Sequence, residues 1–222
     1  MSQQNSVSRR DFIKTVTVAG AGLAGLAAAR KASAASSGKS VMGLKIPKME
    51  KIRAAFIGVG ARGGGHLNQM MSFEGVEVIA IADNHPPALA RAVNNVEKKQ
   101  GKKPAAFGNG DYDYRKMLER DDIDIVFVCT PWEWHAKMCV DAMKAGKHAF
   151  TEVPAAVTLD ECWDLVNTAE KTQKHCMMLE NCCYGEEELL CLNMCRLGIL
   201  GDLLHGEAAY IHDLRGQMNE VA

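Results

Sequence analysis

The sequence predicts an α/β fold built on a doubly wound parallel sheet. From residue 52 onward, buried-looking apolar runs alternate with segments of helical periodicity, and strands separated by helices imply parallel pairing. The first of these runs leads straight into Gly58-Val59-Gly60-Ala61-Arg62-Gly63, and the second ends on an acidic residue, Asp83, 23 positions after Gly60. Ligands of such sheets bind beyond the carboxyl ends of the strands, so the residues just after each strand are the first candidates for a site.

The elements follow in order. Ile52 to Gly58 reads as a buried strand, His66 to Ser72 as part of a helix, and Val76 to Asp83 as a second, β-branched strand. Together they make a βαβ unit. Pro87 to Lys99 has helical spacing, Tyr114 to Arg120 reads as a short helix, and Ile123 to Cys129 is the strongest buried strand in the chain. A helix is predicted from His135 to Ala145, ending at Gly146, followed by a strand from His148 to Glu152. A helix from Leu159 to Lys174 and a strand from Cys176 to Glu180 complete the alternation. Beyond it lie a helix near Glu187 to Leu197 and an alternating strand from Leu203 to His212.

The glycine-rich turn carries the clearest chemistry. Gly58 permits the tight turn, Gly60 lets the backbone approach a diphosphate, and Gly63 lets helix and strand pack closely. Arg62 adds a positive charge beside them. Asp83 is placed to accept from both hydroxyls of an adenosine ribose, and its charge would repel a 2′-phosphate. NAD is therefore the expected cofactor, in preference to NADP.

Composition bounds the rest. There are 26 Lys and Arg against 27 Asp and Glu, a formal net charge of −1, which lacks the electrostatic footprint of a nucleic-acid binder. Hydrophobic residues at 47% and charged residues at 24% suffice for a sizeable core. The eight cysteines do not form a short disulfide module: Cys129 and Cys139 fall on predicted core elements. Cys182, Cys183, Cys191 and Cys195 cluster without the paired CxxC spacing of structural zinc, so no metal is expected.

At the N-terminus, Ser8-Arg9-Arg10-Asp11-Phe12-Ile13-Lys14 resembles the twin-arginine export consensus. An uncharged, Ala- and Gly-rich stretch follows from Thr15 to Ala29, and Ala32-Ser33-Ala34 offers a cleavage site. Residues 1–34 are expected to be a signal handled by the twin-arginine translocase, residues 35–180 the nucleotide-binding domain, and residues 181–222 the start of a second domain. The protein is then periplasmic or otherwise exported.

The same residues resemble the Gfo/Idh/MocA oxidoreductases, in which a Rossmann domain precedes an open-sheet α+β substrate domain. Typical members carry Glu-Lys-Pro after the fifth strand; here the segment is Thr151-Glu152-Val153-Pro154-Ala155-Ala156, with valine in the lysine position. A hydrocarbon cannot move a proton, which argues against an ordinary sugar dehydrogenase. Glu-Val-Pro-Ala-Ala is instead similar to glycoside hydrolase family 109, the NAD-dependent α-N-acetylgalactosaminidases. The likeness extends through Val41-Met42-Gly43-Leu44-Lys45, Met178-Leu179-Glu180-Asn181-Cys182-Cys183-Tyr184 and Gly206 to Leu214. It implies NAD contacts from Ala61, Arg62, Asp83, Trp132, Glu133, Trp134, His135, Glu152, Val153 and Asn181, beside the turn glycines Gly58 and Gly60, and a substrate contact from Tyr210.

The resemblance also implies a redox-neutral cycle on the sugar: oxidation, elimination of the C1 substituent, hydration and reduction. The acidic runs do not look like the paired carboxylates of a conventional glycosidase. Asp121-Asp122 precedes a strand and Glu186-Glu187-Glu188 opens a helix, where acids suit the dipole. The catalytic base is not identifiable from sequence. The competing readings are an exported sugar oxidoreductase of the same superfamily with tightly held NAD, and a non-catalytic NAD- or sugar-binding protein. The chain is expected to be truncated, with little glycosidase activity alone, because the absent part of the substrate domain would hold most of the glycan pocket and the surface through which superfamily members form homo-oligomers.

Overall fold

The computed structural model describes residues 39–209 together with 211, 213 and 215. The export-signal segment, residues 1–34, and Tyr210 lie outside the described residues. Two units are present, one ending at Leu179 and the other beginning at Glu180.

Among the described residues the first unit holds a six-stranded sheet: β1 (Ile52–Ile57), β2 (Val76–Ala82), β3 (Ala105–Phe107), β4 (Ile125–Val128), β5 (His148–Thr151) and β6 (Cys176–Met178). All neighbours pair in parallel in the order β3-β2-β1-β4-β5-β6. The order reverses between β1 and β4, and that switch point leaves a crevice at the carboxyl edge of the sheet. Five helices connect the strands: α1 (Ala61–Met70), α2 (Pro86–Gln100), α3 (Tyr114–Leu118), α4 (Trp132–Lys144) and α5 (Leu159–Thr172).

Both sheet faces are covered, which explains why the strands read as continuous apolar runs. Ala55, Ile57, Val126 and Val128 pack with Met117, Cys139, Met143 and Leu165 on one face. On the other, Ala54, Phe56 and Phe127 pack with Leu67, Val93 and Val96. Phe56 and Phe127 stack at 4.7 Å between ring centroids, and Phe150 meets Phe127 edge-on at 5.5 Å. Three aromatic rings thus tie β1, β4 and β5 together directly beneath the switch point. At the opposite edge, Arg53 clamps Asp124 through Nε at 2.9 Å and an Nη at 2.7 Å, joining the starts of β1 and β4.

Several boundaries differ from the sequence reading, each for a local reason. The stretch from His66 read as part of a helix is the second half of α1, which starts at Ala61 because close packing against β1 holds a helical turn across three consecutive glycines of poor intrinsic propensity. Helix α4 begins at Trp132 rather than His135, directly after Pro131. Strand β3 was not predicted; three residues are too few to show a period, and it exists because Ala80, Ile81 and Ala82 of β2 offer pairing partners. Helix α5 starts where predicted because Thr158 and Glu161 form a reciprocal capping box.

The second unit contains α6 (Glu186–Arg196), with three glutamates in its first turn and Arg196 in its last, matching the helix dipole. None of its residues is buried. The strand expected from Leu203 to His212 does not form among the described residues of that stretch. An alternating pattern becomes a strand only when a neighbour satisfies its backbone groups.

Candidate functional site

The glycine-rich turn lies where β1 leaves the sheet. Gly58 has φ +82°, and a Cβ there would lie 2.7 Å from the carbonyl oxygen of Cys129 on the adjacent β4 edge. Gly63 is still more constrained, since a Cβ would sit 2.1 Å from the Gly58 carbonyl. Both glycines are demanded by the protein's own packing. Gly60 is not: its φ is −64°, and a Cβ would meet no protein atom within 4 Å. Its openness faces a cavity of about 310 Å³ that Gly58, Gly60, Asp83, Asn84, Thr130 and Trp134 help to line.

Asp83 holds that cavity together. Its Oδ2 accepts from the Val59 amide at 2.7 Å and its Oδ1 from the His85 amide at 2.8 Å, so one carboxylate pins the turn after β1 to the end of β2. Each oxygen retains a second lone pair, enough to receive the two hydroxyls of a ribose. Helix α1 has no side-chain cap and no acid in its first turn, so its leading amides are available to an anion at the open face of Gly60. These groups fit a dinucleotide. The adenosine half belongs in the cavity beside β2, the diphosphate at α1, and the other half toward β4 and β5.

One more cavity residue, Asp111, escaped the sequence reading. Asn84, the residue after Asp83, donates through Nδ2 to Asp111 Oδ1 at 2.7 Å, closing the rim on the β2 side. Asp111 lies between β3 and α3, and it was missed along with β3 itself. On the β4 side, burial pushes the Cys129 thiol up to about 12, helped by the negative charge of Glu152. That sulfur is no nucleophile at neutral pH.

The residues implied for NAD by resemblance do not all converge. Ala61 and Arg62 open α1 beside Gly60. Trp134 lines the cavity, and its ring meets Tyr112 edge-on at 5.4 Å. Trp132 and Glu133 are exposed at the start of α4. His135 is buried, with Nδ1 at 2.7 Å from the Pro154 carbonyl and Nε2 at 2.6 Å from the Thr130 carbonyl. It fastens the loop after β5 to the loop after β4, and both ring nitrogens are engaged by backbone. Val153 presents only hydrocarbon at the rim, and its amide donates to Glu152 Oε2 at 3.0 Å. Asn181 belongs to the second unit, where its amide donates to Glu180 Oε1 at 2.9 Å.

Glu152 forms a second centre, and here the structure adds a residue. His66 donates through Nε2 to Glu152 Oε1 at 2.5 Å, while Arg62 Nε stands 3.7 Å from the same oxygen. Burial alone would raise the Glu152 pKa. The His66 and Val153 hydrogen bonds and the charges of His66 and Arg62 outweigh it and hold the carboxyl below its ordinary range. His66 sits one turn after Arg62 on the same helix face. The 86-residue separation from Glu152 hides the pair from any local motif.

Comparisons with known proteins agree with this geometry. Residues 52–180 match the oxidoreductase family with NAD-binding Rossmann fold, Gfo/Idh/MocA, and residues 184–221 match the C-terminal domain of glycosyl hydrolase 109. The chain is 53% identical over 223 aligned positions to an α-N-acetylgalactosaminidase of Shewanella oneidensis, covering 98% of this chain and 49% of that protein. A glycosyl hydrolase family 109 protein of Shewanella baltica is equally similar, 53% identical with the same coverage. The chain thus spans about half the length of the curated relatives it matches. Among solved structures, the WlbA dehydrogenase of Chromobacterium violaceum, in complex with NADH and UDP-GlcNAcA, superposes with a TM-score of 0.63 at 25% identity, over 71% of this chain and 44% of that one. The myo-inositol 2-dehydrogenase of Lactobacillus plantarum, at 22% identity and a TM-score of 0.60 over 69% and 43% of the two chains, shares the fold. A reversing parallel sheet and a glycine turn open at Gly60 have one common explanation: the chain belongs to the Gfo/Idh/MocA oxidoreductase family.

Proposed function

We propose that this chain binds NAD and provides the cofactor-binding part of a glycosidase acting on terminal α-N-acetylgalactosamine. The observation that carries the first half is the cavity at the switch point, where Gly60 is open to a ligand and Asp83 keeps acceptor capacity beside β2. The second half rests on the kinship to Shewanella α-N-acetylgalactosaminidase and on Val153. NAD, when bound, supplies a reversible two-electron acceptor for a sugar carbon, which allows a glycosidic bond to break by elimination without net oxidation.

The chain's own residues hold that cofactor. The α1 amides and Arg62 meet the diphosphate, Asp83 receives the adenosine ribose, and Glu152 accepts from the nicotinamide ribose. Val153 itself can carry no proton, so the base is another residue. Asn181 and Tyr210 are proposed to face the nicotinamide and the sugar respectively. The glycan is the expected substrate, and homo-oligomers are proposed among the partners.

Purified protein, denatured and cleared, should release NAD(H) into the supernatant; protein that neither releases nor takes up NAD sinks the reading. Release of the aryl alcohol from an aryl α-N-acetylgalactosaminide without added cofactor supports glycoside cleavage. Sugar-dependent reduction of bound NAD with no cleavage points instead to an exported oxidoreductase. We also propose export through the twin-arginine route, from Arg9 and Arg10 in their consensus setting. Changing both arginines to lysine should strand the chain in the cytoplasm with residues 1–34 still attached; undiminished export would count against it.

A further inference from the structure

The His66–Glu152–Arg62 cluster is not explained by dinucleotide binding as the glycine turn and Asp83 account for it. One carboxylate oxygen, Glu152 Oε1, faces two basic side chains from a single helix face: His66 at 2.5 Å and Arg62 at 3.7 Å. The pair that forms the hydrogen bond is the more sheltered one. Glu152 and His66 side chains are 14% and 21% exposed, whereas Arg62 is 67% exposed and reaches out beside Gly60. A charge-assisted bond in a sheltered site outcompetes a longer, solvated one.

The backbone leaves His66 little choice of place. Gly63 lets α1 press against the Gly58 carbonyl so closely that a Cβ would not fit, and this fixes the helix relative to the strand ends. His66 follows three residues later and meets the residue just after β5. Glu152 Oε2 is meanwhile tied to the Val153 amide, so the carboxylate is held at both oxygens with one lone pair on each still free.

We propose that His66 is a positioning residue: by engaging Glu152 it aims that carboxylate at the nicotinamide ribose and leaves Arg62 only a long, solvated ion pair with it, so that the guanidinium can turn to the diphosphate. This rests on the NAD reading above and adds a residue to it. Without His66, Arg62 is the nearest cation left for Glu152 Oε1 among the described residues. Closing the present 3.7 Å Arg62–Glu152 pair to a direct hydrogen bond would neutralise the charge offered to the diphosphate and turn the carboxylate away from the ribose. Both losses fall on the half of the dinucleotide beyond the adenosine.

The test compares two probes, NAD and adenosine, on the full chain and on His66→Ala and His66→Gln. NAD should bind His66→Ala about tenfold more weakly, while adenosine, which reaches only the Asp83 and Trp134 cavity, changes less than about twofold. Glutamine carries an N–H donor of similar reach, so His66→Gln should recover most of the lost affinity. Unaltered NAD affinity in His66→Ala overturns the proposal. So does an equal loss of both probes in both variants, which would mark His66 as a packing residue. An unsubstituted chain that binds adenosine but not NAD, or neither, removes the NAD reading itself, and the proposal with it.

Discussion

Asp83 shows how one side chain can serve fold and ligand together. Its carboxylate accepts from Val59 and His85, and the Val59 residue is almost wholly buried, 1% exposed. Asp83→Ala should therefore do two things. It should cost about 1–3 kcal/mol of stability by orphaning a buried amide, read as a lower denaturant midpoint. It should also weaken NAD by on the order of 1.5–3 kcal/mol through lost charge-assisted hydrogen bonds, read by calorimetry. Asp83→Asn keeps one acceptor oxygen and should fall between; a variant that loses affinity with no change in midpoint would show that the two roles are separable.

At the scale of an element, α5 illustrates a boundary written locally. Thr158 Oγ1 accepts from the Glu161 amide at 3.2 Å, and Glu161 Oε2 accepts from the Thr158 amide at 3.0 Å. Thr158→Ala removes half of that box and should destabilise the unit by about 1 kcal/mol, visible in equilibrium urea unfolding. An unchanged midpoint would mean that packing of Leu165 and Ala169 against α4 and the sheet, not the cap, holds the helix start. Helix α1 is the opposite case. It has no cap and three glycines near its start, and its position comes from the strand it leans on. No local propensity scale would place its beginning at Ala61.

The first unit as a whole should lose stability in acid in two stages. Burial pushes the His148 imidazole below its ordinary pKa, and the nearby charges of Lys174 and His175 push the same way, with Asp124 opposing. Its Nδ1 accepts from the His175 amide at 2.9 Å, an interaction that needs the neutral ring. The unfolded chain therefore binds this proton more readily, so the contribution is complete above about pH 6.5 and is lost as pH falls through the lower folded value. Asp124 gives the second stage. The Arg53 hydrogen bond holds its carboxyl below the ordinary range despite burial, so its contribution persists above about pH 4 and disappears below it. Denaturant midpoints measured from pH 8 to pH 3 should fall first near neutrality and again below pH 4. His148→Gln should flatten only the upper stage, and a profile unchanged by that substitution would remove His148 as its source.

What the sequence determined by itself was whatever is written within a few neighbouring residues. The alternation of apolar runs from Ile52, the Gly58-to-Gly63 turn, the distance to Asp83 and the Val153 substitution were all legible, because strands buried on both faces and tight turns restrict composition locally. The tertiary structure alone decided what depends on partners far along the chain. It made a strand of Ala105–Phe107 and left the described part of Leu203–His212 without one, since pairing follows from neighbours. It turned His135 into a backbone clip between two loops, and brought Asn84 to Asp111 and His66 to Glu152. Hydrogen bonds between strand ends depend on which strands lie side by side, and a doubly wound sheet places β1 beside β4, about seventy residues later, for reasons of whole-sheet packing that no short window contains.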